Sequence, residues 1–190
     1  MAIYSAATAT VRRATNEPAM SVDQQDTNPP IKITFRLQQD EDGYPPCGYE
    51  SVWAARLPDG TYQIDNIPWY TYDAACGDVV AAQDVDGELF FRALVQPSGN
   101  SLVRVIVYNT NDVMALHEQL QALGCKTELM GKLLAVHVPA TASYAPIFQY
   151  LMRGQDGGRW TFEEAVLCHK REAPVQKQSV CPSPRASRRR

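Results

Sequence analysis

The chain has 190 residues, 45% of them hydrophobic and 21% charged, a make-up that excludes fibrous, collagen-like and wholly disordered classes. Its net charge of −3 hides an asymmetry: 11 basic and 20 acidic residues give residues 1–169 a charge of −9, while seven bases against Glu172 give residues 170–190 a charge of +6. An acidic body repels nucleic acid and concentrates basic partners. No run approaches the roughly 18 apolar residues that span a bilayer, and MAIYSAATATVRR has no basic head before an apolar middle, so a cytoplasmic protein without membrane contact is expected.

Residues 1–30 show no sustained period and end at Pro29 and Pro30, which reads as a mobile arm. In IKITFRL, Ile31, Ile33, Phe35 and Leu37 alternate with polar residues, the period of a half-buried strand. GYESVWAARL places Tyr49, Ser51, Trp53 and Ala55 on one face and Glu50, Val52, Ala54 and Arg56 on the other. The turn at Pro58, Asp59 and Gly60 leads into TYQIDNI, so 49–66 is predicted as a hairpin with Trp53 and Tyr62 in the core. GDVVAAQDVDGELFFRALVQ reads as a second hairpin closed at Asp86 and Gly87. Short antiparallel strands before any helix predict a small antiparallel sheet or partial barrel over 31–99.

After the turn PSGN, LVRVIVY is a strand and NDVMALHEQLQALG a helix, with Val113, Leu116, Leu120 and Leu123 at helical spacing, Asn111 as N-cap and Gly124 as stop. CKTELMG and KLLAVHVP are strands, SYAPIFQYLMRGQ is a helix burying Ile147, Phe148, Leu151 and Met152, and TFEEAVLCH is a last strand. This order predicts an α+β protein whose second part, 100–169, is a ferredoxin-like split βαβ sandwich with both helices on one side of the sheet. From Lys170, three prolines and a terminal RRR predict a disordered basic tail over 170–190.

Catalytic chemistry finds little to stand on. Five cysteines, Cys47, Cys76, Cys125, Cys168 and Cys181, are odd in number and far apart, so free thiols are expected rather than a disulfide framework or metal knuckle. His117 falls beside the leucine stripe, and His137 and His169 lie in or at the end of strands, where packing or solvation is the usual role. Adjacent residues on a strand point opposite ways, so Cys168 and His169 do not pair; Cys168 with His137 across the sheet stays open. Neither a GxxxxGK[ST] run nor a GxGxxG turn is present, and Gly154, Gly157 and Gly158 read as a helix terminator. Asp65, Asp73 and Asp78 could pair as acid and base or hold a divalent ion, and turn chemistry explains them equally. No catalytic residue, metal ligand or cofactor is therefore assigned, and the chain is expected not to be an enzyme.

Residues 44–72 hold seven of the chain's 17 aromatics, which makes this segment the most informative. Consecutive aromatics in Trp69-Tyr70-Thr71-Tyr72 cannot all point inward from an extended segment, so at least one is expected on the surface. An exposed aromatic among acids suits a basic protein surface; stacking on nucleic acid requires a positive groove.

YPPCGYESVWAARLPDGTYQIDNIPWYTYDAACGDVV, followed by DGELFFRALVQPSGNSLVRV, resembles an uncharacterised bacterial family known as a domain of unknown function, number four-two-six-five. The likeness runs over about residues 31–169 and is most specific at the GYES-x-W strand, the D-N-I-P turn and the G-D-V-V strand opening. Cys47 and Cys76 stand at variable positions. The resemblance implies no established activity or catalytic residue. Small acidic proteins of this kind include immunity partners of toxins in interbacterial competition, some of them toxins that ADP-ribosylate host proteins.

The leading expectation is a non-enzymatic protein-binding inhibitor, an immunity protein that covers the active site of a cognate toxin or other basic protein. Its contacts are expected at Asp65, Asn66, Trp69, Tyr70, Tyr72, Asp73 and Asp78, aromatics anchoring and carboxylates pairing with Arg or Lys. A second expectation is regulatory nucleic-acid binding through the basic tail. A third is an enzyme using Asp73, Asp78 and His137.

Overall fold

The structure is a computed structural model and describes residues 31–170. The expected N-terminal arm and, beyond Lys170, the expected basic tail lie outside the described residues, as does Cys181.

The first half is a meander of β1 (Ile31–Arg36), β2 (Tyr49–Arg56), β3 (Tyr62–Ile64), β4 (Val79–Val85) and β5 (Glu88–Gln96). Each strand pairs antiparallel with the next. A meander with an odd number of strands brings its first and last strands alongside in the same direction. β1 and β5 accordingly meet in parallel at Ile33↔Leu89 and Thr34↔Phe90, closing the barrel. The closure goes beyond the predicted antiparallel sheet or partial barrel, because the seam is a long-range pairing that no local pattern encodes.

Ile33, Phe35, Val52, Ala54, Tyr62, Ile64 and Val80 fill the barrel, with Phe35 stacked on Phe91 at 4.6 Å between centroids. Trp53 is not in this core: it is 44% exposed, with the Lys32 ammonium 4.6 Å above its ring. On β2 the residues of the other parity, Glu50, Val52 and Ala54, face inward, and the small side chains of Val52 and Ala54 fit an interior already holding two stacked rings. Asp86 and Gly87 take φ of 55° and 89°, the left-handed pair that a two-residue hairpin turn requires.

The second half runs β6 (Ser101–Val107), α1 (Val113–Ala122), β7 (Lys126–Met130), β8 (Leu133–Val138), α2 (Tyr144–Asp156) and β9 (Trp160–Val166). The strands form an antiparallel sheet in the order β7-β8-β6-β9. Val113, Leu116 and Leu120 of α1 and Tyr144, Ile147 and Leu151 of α2 share one core with Val103, Val105, Leu134, Val136 and Trp160, so both helices cover the same sheet face. The chain is thus an α+β protein, with two β-structures and two α-helices among the described residues.

The start of the first helix differs from the reading of Asn111 as its cap. Asn109 caps a single 3-10 turn over Thr110–Asp112 by accepting the Asn111 N–H, and that turn feeds α1. Of the three glycines read as a helix terminator, Gly157 does cap the end of α2 and Gly158 follows it with φ of 64°, but Gly154 is no terminator. It lies inside α2, where a Cβ would sit 1.8 Å from Cζ2 of Trp160, so glycine there makes room for the buried indole. Trp160 Nε1 donates to the Leu151 carbonyl at 3.0 Å.

Part of the opposite sheet face is covered by the barrel's β3–β4 loop. Ile67 and Ala75 of the loop pack on Leu102 and Ala135 of the sheet, with Trp69, Ala165 and Val166 around them. This third cluster joins the halves and fixes the loop that carries most of the expected contact residues.

Candidate functional site

The loop between β3 and β4 is held by three buried ionic side chains. Glu50, 8% exposed, projects inward on β2, and its carboxylate accepts the backbone N–H groups of Trp69, Tyr70 and Thr71 at 2.5, 2.9 and 2.8 Å. Asp78 accepts the Ala75 N–H at 2.8 Å and both the N–H and the hydroxyl of Ser98 at 2.7 Å. Arg104 reaches the loop from the sheet: it donates to Glu163 Oε1 at 2.9 Å and to the Thr71 carbonyl, and its guanidinium lies 4.5 Å from the Tyr72 ring centroid. Tyr72 closes the set by donating its hydroxyl to Glu163 Oε2 at 2.9 Å. Arg104 is 2% exposed, and its Nε is buried without a hydrogen-bond partner.

Beside this anchor runs a cleft between barrel and sheet. The segment before β2 turns back through Asp40, whose Oδ1 accepts the N–H groups of Asp42 and Tyr44, and sets Tyr44 edge-on to Tyr70 at 5.9 Å. A cavity of about 440 Å³ lies between Tyr44, Pro46 and Tyr70 on one side and Ile106, Met130 and Leu133 on the other. A smaller one of about 130 Å³ continues from Tyr44 to Arg104 and Glu163. A third, of about 400 Å³, is lined by Arg36, Pro45, Tyr70, Tyr72 and Asp73. Burial raises the pKa of Tyr44, Tyr70 and Tyr72, the last helped by its bond to Glu163, so the phenols keep their protons and act as neutral donors.

The expected contact residues separate into three groups. Tyr70, Tyr72 and Asp73 line one cavity, with Tyr72 55% exposed and Asp73 on the surface. Asp65, Asn66 and Trp69 line none of the three; Asp65 is exposed, Asn66 accepts the Trp53 N–H at 2.7 Å, and Trp69 packs in the inter-half cluster. Asp78 stands corrected as a contact: it is 1% exposed and its carboxylate is spent on three internal hydrogen bonds. Sequence reading missed Glu50, Arg104, Glu163 and Tyr44. Arg104 had a signal, the one charge in the strand Ser101–Val107, and Glu50 shares its face of β2 with Val52 and Ala54.

The residues set aside for an enzyme do not form a unit. His137 is 7% exposed, its Nδ1 has no hydrogen-bond partner, and burial together with Lys126 lowers its pKa. No hydrogen bond joins it to Asp73, Asp78 or Cys168 among the described residues. His169 Nε2 lies 3.0 Å from the Pro139 carbonyl, which can only accept, so this nitrogen carries the proton and Nδ1 accepts the Ser101 hydroxyl at 2.7 Å. Ser101 is fully buried and also accepts the N–H groups of Cys168 and His169, a clasp on the end of β9 rather than a nucleophile open to substrate. Burial pushes the Cys125 thiol up to about 11 and raises those of Cys76 and Cys168, which keeps them protonated. Among the described residues no cluster of three His, Cys, Asp or Glu could hold a metal ion, and no helix is long and apolar enough to cross a membrane.

Comparison with known proteins agrees with this geometry in extent. No curated protein matches the chain. A solved structure described as a novel crystal structure of a hypothetical protein from Neisseria gonorrhoeae is similar at 26% identity and a TM-score of 0.62, over 73% of this chain and 95% of that one. The sequence model of the Domain of unknown function (DUF4265) matches residues 50–162, from the inward Glu50 that ties the loop to the last buried strand. That span holds Glu50, the β3–β4 loop and Arg104, with Tyr44 and Glu163 just outside it, and covers more than half of the chain, which therefore belongs to the DUF4265 family.

Proposed function

We propose that this chain is a non-enzymatic protein-binding inhibitor whose Tyr70–Asp73 surface and adjoining cleft receive a basic partner, with a cognate bacterial toxin as that partner and the cytoplasm as the place of action. One observation carries the reading: three backbone N–H groups of the aromatic loop are tied to the buried Glu50 carboxylate, so the tyrosines are held in place before any partner arrives. Preorganisation lowers the ordering cost of binding, and tyrosine adds contact area with few rotamers to freeze. The acidic body speeds encounter with a positively charged surface. The expected ferredoxin-like sandwich belongs to the same proposal; strand order β7-β8-β6-β9 and helices sharing one face support it.

The test is co-purification with the product of the adjoining gene. Tyr72→Ala combined with Asp73→Ala is expected to weaken capture by at least about tenfold, the size of a single hot-spot loss. Undiminished capture by the folded double variant would remove this surface from the account, and absence of any captured toxin would remove the partner.

A further inference from the structure

The outer face of the barrel carries a pattern that the proposed inhibitor surface leaves aside except at Arg36, which also lines the cavity beside Tyr70, Tyr72 and Asp73. Trp53 and Tyr49 stand on β2, 44% and 59% exposed, and Phe90 stands beside them on β5. Cations are interleaved with these rings. Lys32 lies 4.6 Å from the Trp53 centroid, Arg36 lies 5.1 Å from that of Phe90, and Arg92 is exposed further along β5. Tyr49 meets Phe90 edge-on at 6.1 Å, and between the two aromatic groups Thr34 and Ser51 share a hydrogen bond of 2.9 Å. The register makes this one continuous surface, since Lys32↔Trp53, Thr34↔Ser51 and Arg36↔Tyr49 are direct cross-strand pairs and Thr34↔Phe90 joins β5 to them. None of Lys32, Arg36 and Arg92 forms an ion pair among the described residues, and Glu88 is the acid at this face's end of β5.

We propose that this β1-β2-β5 face binds single-stranded nucleic acid. Lys32, Arg36 and Arg92 form no ion pair among the described residues and outnumber Glu88 on this face, so it complements a polyanion. Its rings offer flat apolar surface, which stacked bases use and an acidic peptide does not. Tyr49 and Trp53 are four residues apart on one strand, about 13 Å, leaving room for bases on both rings and phosphates reaching Lys32 and Arg36 between them. The central hydroxyls add hydrogen bonds to sugar or phosphate oxygens. Phosphates neutralised by Lys32 and Arg36 release their counterions, so binding weakens as salt rises.

The experiment titrates the full-length chain with a fluorescently labelled 15-mer of deoxythymidine and reads anisotropy together with intrinsic tryptophan emission. The wild type is expected to bind with quenched emission. Trp53→Ala is expected to weaken binding about tenfold, the effect of losing one stacking partner. Lys32→Glu with Arg36→Glu is expected to weaken it further and to reduce the salt slope by about two. Circular dichroism checks that both variants are folded, and because they leave the basic C-terminal residues intact, undiminished binding would assign the contact to that segment and overturn the proposal. Absence of binding, or equal competition by poly-glutamate, would overturn it as well.

Discussion

Glu50 and Arg104 are both charged and both buried, yet their surroundings give them different weight. Glu50 satisfies three backbone donors that have no other partner, so Glu50→Ala strands one buried and two part-buried N–H groups at about 1 kcal/mol each. A loss of about 3 kcal/mol is expected in urea unfolding. Arg104→Met leaves Glu163, whose side chain is 42% exposed and can be rehydrated, so a smaller loss of about 2 kcal/mol is expected. His137 sets a pH dependence. Its folded-state pKa lies below the ordinary 6.5, so the unfolded chain takes up the proton first, and stability present above pH 6.5 declines as pH falls. His137→Leu should flatten that decline relative to wild type when urea midpoints are compared across this range; an unchanged slope would assign the decline to other groups.

At the scale of elements, the hairpin turns were the plainest signals. Asp86-Gly87 demands left-handed backbone at both positions and adopts it, and Pro58-Asp59-Gly60 joins β2 to β3. Trp53 shows where a period-two pattern is ambiguous. β2 carries apolar residues on both faces, and size favoured the wrong one because an aromatic suits a core and an exposed cation–π pair equally. Gly154 was equally opaque, because helix-stopping and space-making glycines look alike until the indole beneath is placed. Gly154→Ala should cost at least about 3 kcal/mol, since the new methyl must displace the fully buried Trp160, whereas Gly131→Ala meets no atom and should cost only its backbone strain. Thermal unfolding of the two variants separates packing from conformation.

For the whole molecule, the β3–β4 loop decides the organisation. Its residues cover part of the sheet face that the helices leave open, so barrel and sheet share a buried seam and the cleft beside it has walls from both. The aromatic segment was legible as a place of interest, and Tyr70, Tyr72 and Asp73 do gather at one cavity. The charged residues that fix it were not legible as a group, because Glu50, Arg104 and Glu163 are far apart in sequence and meet only through the long-range pairing of the fold. Rigid presentation of that loop is the claim on which the binding proposal rests. Hydrogen exchange on the free protein tests it most directly. The amides of Trp69, Tyr70 and Thr71 should exchange as slowly as those of β2 and become fast in Glu50→Gln; exchange in the wild type at the rate of an open loop would contradict the account.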